Sequence, residues 1–156
     1  MHNNSNHIMD LREFNFWTEL RVRYEETDSM SVVYYGKYYV FFEVARTEYL
    51  KNIGYNYIDI EDNGYYFVVA ESKCNYISPA RFEDVLKIYA KVNYIKNTSF
   101  NFLYYVTKKD NDNLEQNVVF GHTVLVCVDK NTFKPVKIPE YLTKAIQKFE
   151  GHTFMP

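Results

Sequence analysis

Residues 21–54 read RVRYEETDSMSVVYYGKYYVFFEVARTEYLKNIG, and a strand-like period gives way to a helical one inside them. From about residue 36 to 53, Tyr38, Phe41, Phe42, Ala45, Tyr49 and Ile53 recur at three- and four-residue spacing, which paints one apolar stripe on a helix. Gly54 is its natural stop, because glycine is favoured just past a helix end. The opposite face carries Lys37, Glu43, Arg46, Glu48 and Lys51 and is expected to be mostly solvated, with Glu43 and Arg46 paired one turn apart. Asp28 stands just upstream of the helix start. It reads either as a cap, satisfying free N–H groups, or as chemistry, since a helix N-terminus offers backbone donors to a developing negative charge.

Working outward, Leu20, Val22 and Tyr24 alternate with Glu19, Arg21 and Arg23, the period of a half-buried strand over residues 17–26. After the helix, NYIDIEDNG is a short polar link with helical character, and YYFVVAESKCNYISP is a strand stopped by Pro79. DVLKIYAKVNYIKN sets Leu86, Ile88, Ala90, Val92 and Tyr94 against Lys87, Lys91 and Asn93. SFNFLYYVTKK aligns Phe100, Phe102, Tyr104 and Val106, and KKDNDN is a turn by composition. QNVVFGHTVLVCVD is apolar on both faces, which places it centrally and covers it on both sides. A short helix with Leu142, Ile146 and Phe149 aligned closes the chain. One long helix with a run of antiparallel strands is an α+β plan. Period and composition alone suit a hot-dog fold, a curved antiparallel sheet wrapped around one central helix, but also allow other α+β sheets.

A chain of 156 residues fits one domain, read here as residues 15–150 between a flexible leader (1–14) and a tail (151–156). The formal charge of -2, with basic residues scattered among acids, gives no stripe for nucleic acid. No stretch approaches the ~20 apolar residues of a membrane span, and the leader lacks a signal-peptide pattern. Cys74 and Cys127 have no paired spacing, which reads as a reducing, cytoplasmic setting, and Cys127 as a buried apolar residue. The four histidines lack partners at ligand spacing, so no metal is expected. His122 reads as a core or interface histidine.

The stretch at residues 21–54, followed in order by YISPARFEDVLKI and TVLVCVDKNTFKPVKIP, resembles the hot-dog thioesterases of the 4-hydroxybenzoyl-CoA thioesterase family, including YbgC-type acyl-CoA thioesterases. The resemblance spans about residues 16–142. It implies a hot-dog fold and thioester hydrolysis with no cofactor beyond the coenzyme A of the substrate. It further implies that Asp28 is the catalytic carboxylate and that the backbone N–H of Tyr35 polarises the thioester carbonyl. Tyr34, Arg81, Lys96, Asn97 and Thr98 become the candidate substrate and coenzyme A contacts, with Lys96 the best single phosphate contact. Arg81 has a second reading, as a loop-holding partner of Glu83 or Asp84. Glu25 and Glu26 are competing carboxylates, expected to be exposed or supporting. Active sites between subunits imply a homodimer, or a homotetramer built from two. Ser31 stands where the family usually has Gly, Tyr35 where many YbgC-type members have His, and Lys37 where Asn is common. These departures bear on substrate preference more than on reaction type.

Hydrolysis needs an attacker for the acyl carbon and a stabiliser for the oxyanion, and these two groups supply both. Whether Asp28 attacks directly or activates water stays open. So does the carrier, since an acyl carrier protein can replace coenzyme A. A non-catalytic acyl-thioester binding module on the same fold is the alternative outside enzymology, and the presence of Asp28 argues against it. A hydratase would need a His with an Asp or Glu, a constellation the sequence does not display.

Overall fold

The computed structural model describes residues 10–154. Five antiparallel strands, β1 (Phe16–Arg21), β2 (Tyr65–Tyr76), β3 (Val85–Ile95), β4 (Ser99–Lys109) and β5 (Glu115–Asp129), form one sheet in the order β1-β3-β4-β5-β2. The sheet packs around α1 (Lys37–Asn52), and the short helices α2 (Tyr57–Asp62) and α3 (Glu140–Glu150) flank it. This is the hot-dog architecture, α+β in class. Among the described residues, no helix is long and apolar enough to cross a membrane.

The stripe on α1 is the core. Tyr38, Phe41, Phe42, Ala45, Tyr49 and Leu50 are buried, facing Phe100, Phe102, Tyr104 and Val106 of β4. Phe42 stacks on Tyr104 with centroids 4.3 Å apart, and Tyr49 meets Phe102 edge-on at 5.1 Å. The helix stops where expected. Gly54 takes φ +98, its N–H donates to Lys51 O at 3.0 Å, and the Tyr55 N–H reaches back to Leu50 O at 2.9 Å. That pair of bonds satisfies two of the last carbonyls.

Four expectations change. The first strand ends at Arg21 rather than running to residue 26. Residues Tyr24–Glu26 form a 3-10 turn instead, because the Glu26 carboxylate accepts the Arg23 N–H at 2.7 Å and competes with strand pairing. Arg46 is only 9 % exposed, not solvated, and the expected Glu43–Arg46 ion pair is not formed; Glu48–Lys51 is, at 3.1 Å. Burial works against the Arg46 charge, while the hydroxyls of Tyr104 and Tyr57 act the other way and keep it firmly protonated. In β3, a register shift between Val92 and Tyr94 turns Ile95, not Tyr94, into the core. Finally, β5 is interior, between β4 and β2, but its outward residues Phe120, His122, Val124 and Val126 stay partly open within one chain.

The expected leader is folded in its last part. A 3-10 turn at Leu11–Glu13, capped by Asp10, lays Phe14 against Tyr89 and Tyr105 on the outer face of the sheet. Of the expected tail, Phe154 packs against the main core. Residues 1–9 and 155–156 lie outside the described residues.

Candidate active site

Asp28 sits on a small hairpin that joins β1 to α1. Thr27 pairs with Val33, the Asp28 N–H donates to Val32 O at 2.9 Å, and the Ser31 N–H donates to Asp28 O at 2.9 Å. Two rungs fasten its base: the Tyr34 N–H to Glu26 O and the Val33 N–H to Ala80 O, both at 2.8 Å. Asp28 Oδ1 accepts the Met30 N–H at 2.8 Å, so the side chain caps its own turn. It does not cap α1, whose first residues have no side-chain cap. Among the described residues Oδ2 accepts no hydrogen bond, which leaves half of a partly buried carboxylate open to a reactant.

Beyond the hairpin, the N–H groups of Tyr35 and Gly36 donate to nothing among the described residues, as the start of an uncapped helix would have it. Both groups lie at the N-terminal end of α1, where the backbone dipole is positive. Beside them lies a groove of about 290 Å³, lined by Val32, Val33, Tyr35, Tyr38, Tyr76 and Ile77. Its walls are apolar and aromatic. Burial pushes the Tyr38 hydroxyl up to about 12 and the nearby Cys74 thiol up to about 11, so both stay neutral at ordinary pH. A neutral thiol is a poor nucleophile.

The predicted contacts divide into two groups. Tyr34 is exposed beside the hairpin, its ring centroid 4.5 Å from that of Tyr35. Arg81 joins them: its Nη1 lies 3.5 Å from Ser31 O, and its N–H donates to Asp84 at 2.8 Å. Glu83 and Asp84 take Arg21 and Lys108 as their side-chain partners, which frees the Arg81 guanidinium for the hairpin. Lys96, Asn97 and Thr98 lie elsewhere. They form the β3–β4 turn, held by the Lys96 N–H to Ser99 O and by Thr98 O and Asn97 O, which accept the Cys127 and Ile138 N–H groups. That turn is at the far end of the sheet, roughly 30 Å from the hairpin at ~3.4 Å per residue of strand, so one chain does not bring the trio to Asp28.

Of the two readings for Glu26, exposed or supporting, the second holds: it is buried, its carbonyl accepts the Tyr34 N–H at the hairpin base and its carboxylate accepts the Arg23 N–H in the preceding 3-10 turn. Two features escape the sequence reading. The Tyr76 hydroxyl donates to Tyr35 O at 3.0 Å; nothing marks this tyrosine among the sixteen in the chain. A histidine does meet a glutamate: His122 Nε2 lies 3.4 Å from Glu71, with Asn101 Nδ2 3.2 Å from Nδ1. That pair is on the outer face of the sheet, away from α1, and lines no groove described above.

Ser31 adopts φ 62, in the left-handed region. An L-residue there costs roughly 1–2 kcal/mol, and a glycine returns part of that through its freer unfolded chain. Ser31→Gly is therefore expected to stabilise the fold by about 0.5 kcal/mol, net of the two effects. Urea titration reads this directly; a lower midpoint in the variant would mean that the Ser31 side chain itself holds the turn.

The sequence profile of the Thioesterase-like superfamily matches residues 22–146. The chain is 33% identical over 121 residues to the acyl-CoA thioester hydrolase YbgC of Escherichia coli, covering 78% of this chain and 87% of that protein. It is 29% identical over 119 residues to the putative acyl-CoA thioesterase YneP of Bacillus subtilis, covering 76% and 83%. Its fold is similar to that of DHNA-CoA thioesterase from Staphylococcus aureus, with a TM-score of 0.79, 29% identity, and coverage of 86% and 90%.

Proposed function

Because the chain belongs to the thioesterase-like superfamily, we propose that it is an acyl-CoA thioesterase that uses Asp28 as its catalytic carboxylate. The observation that carries this reading is the juxtaposition of an Asp28 oxygen and the N–H groups at the start of α1, at the two ends of one hairpin and all without a partner among the described residues. The reaction adds water across the thioester: the acyl carbon gains an oxygen, the C–S bond breaks, and the thiolate of coenzyme A takes the proton. As the acyl carbon becomes tetrahedral, its oxygen gains negative charge, which the Tyr35 N–H holds. Asp28 serves either as the nucleophile, forming a mixed anhydride that water then cleaves, or as the base that deprotonates the attacking water. Tyr34 flanks the acyl entrance, and Arg81 braces the Asp28 turn through Ser31 O while presenting charge to the substrate.

Coenzyme A needs the second group of residues, and a second copy of the chain supplies them. β2 is an edge strand with one side unpaired, and Val69 on it and Tyr39, Val40 and Val44 on α1 expose apolar surface. Antiparallel pairing of two β2 edges sets the far end of one copy beside the Asp28 end of the other. Lys96, Asn97 and Thr98 of one subunit then face the phosphates of substrate held by its neighbour. The functional unit is a homodimer, or a homotetramer of two such dimers, and light scattering on the purified protein distinguishes these from a monomer. Lys96→Ala is expected to raise KM for coenzyme A thioesters severalfold with kcat retained, and by less at high salt, since exposed charge pairs are screened. An unchanged KM removes Lys96 from the site.

The direct test of the reading is thiol release from short, long and aromatic acyl-CoAs and from matching carrier-protein thioesters. Turnover on coenzyme A substrates is the expected result. Turnover restricted to the carrier-protein series would move the substrate class, and binding without turnover on either would leave a thioester-binding module.

A further inference from the structure

The Tyr35 carbonyl lacks the partner that a helix would normally give it. In a regular helix it would accept the Tyr39 N–H, but that group turns to Gly36 O at 3.3 Å instead. Among the described residues, the donor to Tyr35 O is the Tyr76 hydroxyl on β2, at 3.0 Å. The Tyr76 ring is fixed in turn by edge-on packing against Tyr38, 5.9 Å away, and against Tyr35, 6.5 Å away. A side chain from the sheet thus holds the carbonyl that stands just ahead of the helix N-cap.

The consequence follows from peptide geometry. A trans peptide holds its C=O and N–H antiparallel in one plane, and the described chain has no cis bond. Fixing the Tyr35 carbonyl therefore fixes the direction of the Gly36 N–H, which points the opposite way and meets no acceptor among the described residues. The Lys37 N–H donates to Tyr34 O at 2.9 Å and Gly36 takes φ -70 and ψ -19, so Tyr34–Lys37 is a type I turn, in which the helical backbone of Tyr35 sets the Gly36 N–H beside that of Tyr35. Apart from the turn bonds that bracket it, Lys37 N–H to Tyr34 O at 2.9 Å and Tyr39 N–H to Gly36 O at 3.3 Å, the hydroxyl is the polar contact this peptide makes among the described residues.

We propose that Tyr76 is a positioning residue that locks the Tyr35–Gly36 peptide and so makes the Gly36 N–H a second oxyanion donor beside that of Tyr35. This rests on the thioesterase reading for its catalytic part, and on the structure alone for the locking. Desolvation raises the Tyr76 hydroxyl above the ordinary phenol range, and the neighbouring Cys74 adds to it, so the donor proton is present at all working pH values.

Tyr76→Phe keeps the ring and deletes the bond. Removing an oxyanion donor outright costs about 10²–10³ in kcat; loosening one is expected to cost about tenfold, with KM within twofold and the melting temperature little changed. The lock is read separately by ¹⁵N relaxation of the Gly36 amide, whose order parameter should fall from about 0.85 toward 0.6 in the variant. An unchanged Gly36 order parameter overturns the inference whatever the activity. Parallel loss in kcat, KM and melting temperature would also overturn it, as a general structural role. Wild-type protein without thiol release, or Asp28→Asn as active as wild type, would instead sink the thioesterase reading, leaving the relaxation measurement to decide the lock.

Discussion

Asp28→Asn is expected to lower kcat by about three orders of magnitude while leaving the fold intact. The substitution keeps the side chain's size and its local bond, since an asparagine carbonyl accepts the Met30 N–H as Asp28 Oδ1 does at 2.8 Å, and asparagine is at home in such turns. What disappears is the negative charge on the open oxygen. General base catalysis is worth about 10²–10⁴, and a nucleophilic carboxylate has no amide substitute, so both mechanisms forecast a loss of this size. They diverge in a second measurement. If Asp28 is the nucleophile and water opens the anhydride at the Asp28 carbonyl, a single turnover in ¹⁸O-water puts the label into the Asp28 carboxyl and leaves the product unlabelled; label in the product alone is the outcome for the base, or for water attack at the acyl carbon of the anhydride. Equal turnover by the two proteins would remove Asp28 from the chemistry and return it to the role its geometry already shows, that of a turn cap.

Local period and turn chemistry made the frame legible. The α1 stripe places six apolar side chains within one face, and that pattern survives any packing partner, so the helix and its Gly54 stop are where the sequence puts them. The Asp28 turn is equally local. The misses depend on contacts between distant residues. Arg46 looks like a surface cation until Tyr57 and Tyr104 arrive from α2 and β4 to cover it. The alternation through Val22 and Tyr24 looks like a continuing strand until the Glu26 carboxylate finds the Arg23 N–H. Lys96 and Asp28 both suit a coenzyme A thioester, yet a period of two cannot say that β3 separates them by its whole length. Tyr76 and Tyr35 lie 41 residues apart, and their bond exists only because β2 runs back along α1.

Gly121→Ala is expected to destabilise the protein by about 3 kcal/mol or more, the upper range for overpacking a tight core. On propensity alone the sign would be the reverse, because alanine in a strand interior is favoured over glycine by roughly 0.5–1 kcal/mol. Space decides against it. A Cβ on Gly121 would lie 2.2 Å from Lys73 O and 2.8 Å and 2.9 Å from two ring atoms of Phe42. Neither neighbour yields easily. Lys73 O is backbone of β2, which pairs with β5 from Tyr65 to Tyr76, and Phe42 is pinned by its stack on Tyr104. A glycine inside a strand is the sequence mark of such a close approach, and here it lets the sheet close on α1. Shrinking the obstacle should return part of the loss, so Gly121→Ala combined with Phe42→Leu is expected to be less destabilised than the two single variants sum to. Strict additivity would mean that the β2 carbonyl, not the ring, is the limit. A Gly121→Ala protein as stable as the parent would mean that β2 can move away from β5, and Tyr76, three residues beyond Lys73 on the same strand, would move with it.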